Sequence, residues 1–184
     1  PDHAFRFYLG QDARYLQDYA KALAGLAART DAVDETTYWS YSAYSSQVEE
    51  AELHRTWLAG EPVVAPSPVT QAYTNFLLAS VFVDDYVVGA AAVLPCYWLY
   101  AQTGAQIPRI PDEHPYAAWL HTYHDDEFVQ ATAQTLAIVE RAFALAAPQA
   151  RSRAARAYLT ACRHEMEFFD QALRVDPDDP GCDE

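Results

Sequence analysis

Residues 158–172 read YLTACRHEMEFFDQA, and the spacing of their apolar side chains decides the fold. Tyr158, Cys162, Phe168, Phe169 and Ala172 follow the period of an α-helix with one side turned to a core, while Arg156, Arg163, Glu167 and Asp170 take the other side. The same helical spacing recurs through nearly the whole chain, and Gly and Pro cluster between the helical segments, so the fold class is all-α.

Working outward, helices are predicted over 3–29, 35–58, a long stretch 69–102 bent at Gly89 and Pro95, a hairpin 114–146 and a last helix 151–174. In the first, Tyr8, Tyr15, Tyr19, Leu23 and Leu26 share one stripe. Pro62, Pro66 and Pro68 make 60–68 a loop, 104–111 closes the long stretch, and His124-Asp125-Asp126-Glu127 marks a break inside the hairpin. Short connections and the lack of an internal linker predict one helical bundle domain over 1–175. The acidic segment 176–184, with Pro177, Pro180 and Gly181, has nothing to bury and is expected to be disordered.

The chain has 184 residues, of which 51% are hydrophobic, ample for one sizeable core. Twelve basic residues stand against 26 acidic ones, a net charge of −14 that repels a phosphate backbone and argues against nucleic acid as a partner. The weakly charged run 86–100 is shorter than the roughly 20 residues of a spanning helix and is interrupted by Gly89 and Pro95. No membrane association is expected, and with no signal-like N-terminus the expected location is cytoplasmic. Cys96, Cys162 and Cys182 are an odd number at no metal-finger spacing, so free thiols are expected rather than disulfides or structural zinc.

Two acids break the apolar stripes. Glu165 lies seven residues from both Tyr158 and Ala172, and Asp12 lies four after Tyr8 and three before Tyr15, so both are predicted to face the core. Burying an unpaired carboxylate costs several kcal/mol or more. A carboxyl set among aromatic and thiol groups answers by holding its proton, which suits Glu165 to proton donation. Asp12, near tyrosine hydroxyls that can hydrogen-bond its ionised form, is suited to accept from a substrate amino group.

Cys96 follows Pro95 directly. If the helix restarts at that proline, Cys96 falls in a first turn, where free N–H groups and the dipole lower a thiol pKa. Buried packing as a small hydrophobe is the plain alternative, and Cys162, three residues before Glu165, is the competing thiol. Tyr73, Tyr100 and Tyr123 add phenols on apolar faces, and a pocket of phenols and flat aromatic walls suits a neutral planar heterocycle.

Tyr8-Leu9-Gly10-Gln11-Asp12 with Tyr15, Ala65-Pro66 with Tyr73, Leu94-Pro95-Cys96-Tyr97-Trp98-Leu99-Tyr100, His114-Pro115-Tyr116-Ala117-Ala118-Trp119-Leu120 with Tyr123 and Glu127-Phe128, and Glu165 with Phe168 follow one another along the chain. Together they resemble the TenA/thiaminase II family. The resemblance implies a heme-oxygenase-like bundle without heme, a homotetramer, no metal or organic cofactor, and aminopyrimidine aminohydrolase activity in thiamin salvage with thiamin cleavage as a related reaction. By that resemblance Cys96 is the nucleophile and Glu165 the proton donor to a pyrimidine nitrogen, while Asp12 accepts from the ring edge and its amino group. Tyr15, Tyr73, Tyr100 and Tyr123 line the pocket, and Phe168 stacks on the ring. Cys96 places the chain with the cysteine-bearing branch. The family pattern also has a helix ahead of the segment matched at 3–12, which this sequence does not carry, and a longer stretch between Asp12 and Tyr73.

Two other readings compete. A di-metal oxidase would draw on His121, His124, Asp125 and Glu127, although paired Glu-x-x-His elements are missing. A non-catalytic pyrimidine-binding or regulatory protein would keep Asp12 and the tyrosines and need neither thiolate nor acid.

Overall fold

The computed structural model describes residues 2–58, 64–108, 110–114, 116–122 and 124–175, with side chains throughout except at 49–57 and 118. Among these residues the chain forms α1 (Asp2–Ala27), α2 (Val33–Trp57), α3 (Pro68–Phe82), α4 (Tyr86–Gln106), α5 (Ala117–Thr122), α6 (Asp126–Leu145) and α7 (Pro148–Leu173), with no strand. The fold is an all-α bundle. α1 lies along α2 and α3, and α4 lies along α7, α6 and α3. The predicted stripe of α1 is the buried one: Tyr8, Tyr15, Tyr19, Leu23 and Leu26 all face the core, with Leu77, Val81, Val93 and Trp39.

The helix ends follow local chemistry. Ser67 caps α3 by accepting from the Thr70 amide, and Pro68 takes the first turn, where its missing N–H costs nothing. Pro68 therefore opens a helix rather than closing a loop, and Pro148 does the same for α7. Asp125 caps α6 by accepting from the Glu127 amide, so the break predicted at His124-Asp125-Asp126-Glu127 is present.

The long stretch 69–102 is two helices, not one bent helix. The chain breaks at 83–85, where Arg29 donates to the carbonyls of Val81 and Asp84 at the end of α3 and Arg153 of α7 holds the carboxylates of Asp84 and Asp85. Those partners are distant in sequence, which hides the break from local spacing. α4 runs on through Gly89 and Pro95 and past Gly104 to Gln106. Gly89 marks a close approach instead: a Cβ there would lie 2.9 Å from the Val81 Cα of α3.

The buried stripe of α7 is also rotated from the predicted one. Ala150, Ala154, Ala157, Ala161, Glu165, Phe168 and Ala172 face inward, whereas Phe169 is 39% exposed and Tyr158 and Cys162 are half-buried. Small alanines let α7 lie close to α4, and the bulkier side chains are left on the flanks. No helix among the described residues is long and apolar enough to cross a membrane. The tail 176–184 lies outside the described residues.

Candidate active site

Glu165, midway along α7, is 2% exposed and accepts a hydrogen bond of 2.7 Å from the Tyr73 hydroxyl of α3. Burial pushes its carboxyl up to about 8, and the charge of Asp12 adds to the rise; hydrogen bonds from Tyr73 and Tyr100 oppose it without cancelling it. Among the described residues no Lys, Arg or His forms an ion pair with it. A carboxyl raised in this way is inclined to hold its proton near neutral pH. Asp12 is half-buried rather than buried, yet its charge is felt by both Glu165 and Cys96.

Cys96 joins this group, but not as a thiolate. Because α4 continues through Pro95, Cys96 lies in a helix interior, with neither free N–H groups nor a helix N-terminus to stabilise an anion. Burial pushes its thiol well above the ordinary value, and the Glu165 and Asp12 charges push the same way against weaker help from Tyr15 and Tyr19. The lowered thiol predicted from Pro95 is thus corrected. The residue as a whole is half-buried.

Three phenols surround these groups. The Tyr73 ring is buried, lies 5.0 Å from Tyr15, and is stacked on His164 at 5.1 Å and 15°. Tyr15, 4% exposed, stacks on Tyr19 at 5.2 Å and 23°. Its hydroxyl is buried and lies beside the Cys96 thiol and the Tyr73 hydroxyl. Tyr100 is half-buried, and its hydroxyl is 3.0 Å from that of Tyr8. Phe168 is buried against Tyr8 and Tyr15, with ring centroids 5.6 and 5.5 Å away. Tyr123, the remaining predicted pocket residue, lies outside the described residues. The structure thus brings Asp12, Tyr15, Tyr73, Cys96, Tyr100, Glu165 and Phe168 together from α1, α3, α4 and α7.

Sequence reading missed Gln11. Its amide donates to the Ala65 carbonyl and accepts from the Ser67 amide and the Thr70 hydroxyl, while Gln171 accepts from Ser67 and donates to Thr70. This buried network ties 65–67 to α1 and α7 beside Asp12. The quoted motif held Gln11, but a glutamine one position from a candidate acid gives no sign of which it serves. Tyr19, read only as core, donates to the Val93 carbonyl at 2.9 Å and lies near the thiol.

The di-metal residues do not gather. Among the described residues no three His, Cys, Asp or Glu side chains meet at metal-binding distance. The ring nitrogens of His124 are 3.2 Å from the carbonyls of Leu120 and Ile107. An open cleft of about 530 Å³ lies far along α1 from Asp12, lined by Arg29, Thr30, Glu35, Tyr86 and Arg141, whose polar groups are bonded within the protein.

The chain is 51% identical over 175 residues to a thiamine biosynthesis multifunctional protein ThiED of Corynebacterium efficiens, covering 92% of this chain and 24% of that protein. It therefore spans about a quarter of that relative's length. It is 28% identical over 182 residues to the aminopyrimidine aminohydrolase of Bacillus subtilis, covering 95% of this chain and 77% of the relative. The crystal structure of a TenA family transcription regulator from Silicibacter superposes with a TM-score of 0.85 at 23% identity, over 95% of this chain and 84% of the other. The family model for TENA/THI-4/PQQC matches residues 1–175, and the chain belongs to that family.

Proposed function

We propose that this chain is an aminopyrimidine aminohydrolase of thiamin salvage, converting 4-amino-5-aminomethyl-2-methylpyrimidine to the hydroxymethyl pyrimidine and ammonia, with thiamin cleavage as the related reaction. The observation that carries this is the buried Glu165, its pKa raised, beside Cys96 and Asp12. Relatives bearing the name aminopyrimidine aminohydrolase match over nearly the whole chain, which supports the substrate class.

A pyrimidine does not release an amine from its methylene substituent while it is aromatic, so a nucleophile must first add to the ring. Cys96 adds through sulfur and Glu165 delivers its proton to a ring nitrogen. Because both groups hold their protons at rest, the thiol proton must leave as the C–S bond forms, and Glu165, having given up its own, takes it back. The addition then creates no net charge in a buried site. The adduct expels ammonia, water adds to the exocyclic methylene, and C–S cleavage returns the proton to sulfur and restores the ring. Asp12 accepts from the ring amino group, Phe168 stacks on the ring, and Tyr15, Tyr73 and Tyr100 line the pocket. The Tyr15 hydroxyl, beside Cys96 and Tyr73, is a hydrogen-bonding group for the substrate.

Residues 1–175 form the catalytic domain in this proposal, acting without metal or organic cofactor as a cytoplasmic homotetramer. The exposed α7 residues Leu159, Met166 and Leu173, at heptad spacing, support association through an apolar face.

The test is incubation with the aminomethyl pyrimidine, and separately with thiamin, while following ammonia and hydroxymethylpyrimidine. Turnover that disappears in Cys96→Ser and Glu165→Gln is the expected result; full activity in Cys96→Ser refutes the mechanism. The protonated thiol favours one other reading, a pyrimidine binder without catalysis, which would bind the substrate and release no ammonia.

A further inference from the structure

We propose that Gln11 and Gln171 are positioning residues of the site: through Ser67 and Thr70 they lock α1, α3 and α7 into the one register that sets Asp12, Tyr73 and Glu165 around a substrate. The inference rests on the proposed roles of Glu165 and Asp12 and adds two residues to which that reading gives no task.

Two backbone groups orient the network. Gln11 Oε1 accepts from the Ser67 amide at 2.8 Å and Gln11 Nε2 donates to the Ala65 carbonyl at 3.1 Å, so the side-chain amide can face only one way. The Thr70 hydroxyl, 2.7 Å from the same Oε1, must then give it its single hydrogen. With that hydrogen spent, Thr70 accepts from Gln171 Nε2 at 3.3 Å, which turns Gln171 Oε1 to the Ser67 hydroxyl at 2.6 Å. Every direction is fixed, and no member titrates, so the arrangement is the same whether Glu165 is protonated or ionised.

On each helix the network stands within two turns of a working group. Gln11 is next to Asp12, Thr70 is three residues before Tyr73, and Gln171 is three after Phe168 and six after Glu165. Gln11 is 2% exposed, Thr70 0% and Gln171 8%, so breaking these bonds strands polar atoms away from water. Apolar contacts alone tolerate sliding of one helix along another; a satisfied polar network does not. The bond from Tyr73 to Glu165, 2.7 Å between α3 and α7, is the contact that this register sets. The segment before α3 is strapped to α1 as well: Arg14 donates to the Val64 carbonyl at 2.6 Å, and a Cβ on Gly10 would lie 3.0 Å from Val64 Cγ2.

The test compares Gln11→Met, Gln171→Met and Thr70→Val with Tyr38→Phe, a control that removes a buried bond from α2 to the Ala131 carbonyl of α6. Crystal structures should show the Tyr73 hydroxyl beyond hydrogen-bonding distance of Glu165 in the network variants and still bonded to it in the control. The kcat for ammonia release should fall by about 10–10²-fold in the network variants, the scale of a misplacement of about 1 Å, while the control loses thermal stability and keeps its kcat. Gln11→Met and Gln171→Met combined should fall no further than the worse of the two, because both act through one network. A Tyr73 bond to Glu165 left intact in the network variants, an equal loss of kcat in Tyr38→Phe, or losses that multiply in the double variant overturns the proposal. Thr70→Val, close in shape to threonine, carries the test if a glutamine variant fails to fold. The crystal structures need no turnover, so an inactive wild type would refute the proposed function while leaving this result readable.

Discussion

Glu35, in the first turn of α2, and Glu165, midway along α7, are 6% and 2% exposed, and each accepts a short hydrogen bond from a tyrosine, Tyr86 at 2.6 Å and Tyr73 at 2.7 Å. Burial raises the proton affinity of both. At Glu35 the rise is outweighed by hydrogen bonds from Tyr86, from Arg141 at 2.7 and 3.0 Å, and from Thr30, so its pKa is lowered. At Glu165 the nearby charge is Asp12, of the same sign, and the pKa rises to about 8. Burial and a phenol are common to the two sites; the sign of the neighbouring charge separates a structural anion from an acid.

The largest expected effect is on turnover. Glu165→Gln should lower kcat by about 10²–10⁴-fold, the usual contribution of a positioned acid, while Glu35→Gln changes it only a few-fold. Steady-state ammonia release from the two variants checks this, and comparable losses would erase the distinction.

Stability should separate them next, with opposite pH dependence. Glu165 has a folded pKa above its ordinary 4.5, so its contribution is fully present below pH 4.5 and lost as pH rises through about 8. Glu165→Gln should therefore match wild type near pH 4.5 and exceed it at pH 9 by on the order of 4 kcal/mol. Glu35, with a lowered pKa, contributes above pH 4.5 and loses that contribution as pH falls through its folded value. Glu35→Ala should cost on the order of 2 kcal/mol at pH 7, and the deficit should shrink in acid. Urea unfolding at three pH values reads both trends.

The smallest effects are titration shifts that push each site toward the other. Arg141→Met should raise the Glu35 midpoint, and Asp12→Asn should lower that of Glu165. ¹³C NMR of the two carboxyls would show them, and a fall at Glu35 in Arg141→Met would contradict its assignment as the stabilising cation.

Legibility in the sequence follows the same division. Glu165 could be found because it interrupts an apolar seam within its own helix, seven residues from Tyr158 and Ala172. Glu35 could not, since its first-turn position looks like a solvated helix start and its partner Arg141 is 106 residues away. The helical class was readable from local spacing, but the break at 83–85 depends on Arg29 and Arg153, which only the packed bundle brings there. Pro95 misled for a related reason: a proline signals a helix start or a kink locally, and packing carries α4 through it. Cys96 thus keeps its place in the site while losing the low thiol pKa inferred from that proline. Gln11 lay inside a recognised motif, yet its role depends on 65–67, far along the chain.

The central claim is that an uncompensated buried carboxyl supplies the proton for aminopyrimidine hydrolysis. The most direct test is the pH dependence of kcat/KM for ammonia release from the aminomethyl pyrimidine. Activity should hold below neutrality, fall with a midpoint near 8 as Glu165 loses its proton, and lose that limb in Glu165→Gln. A wild-type profile that rises through pH 8, or the same alkaline limb persisting in Glu165→Gln, would contradict it.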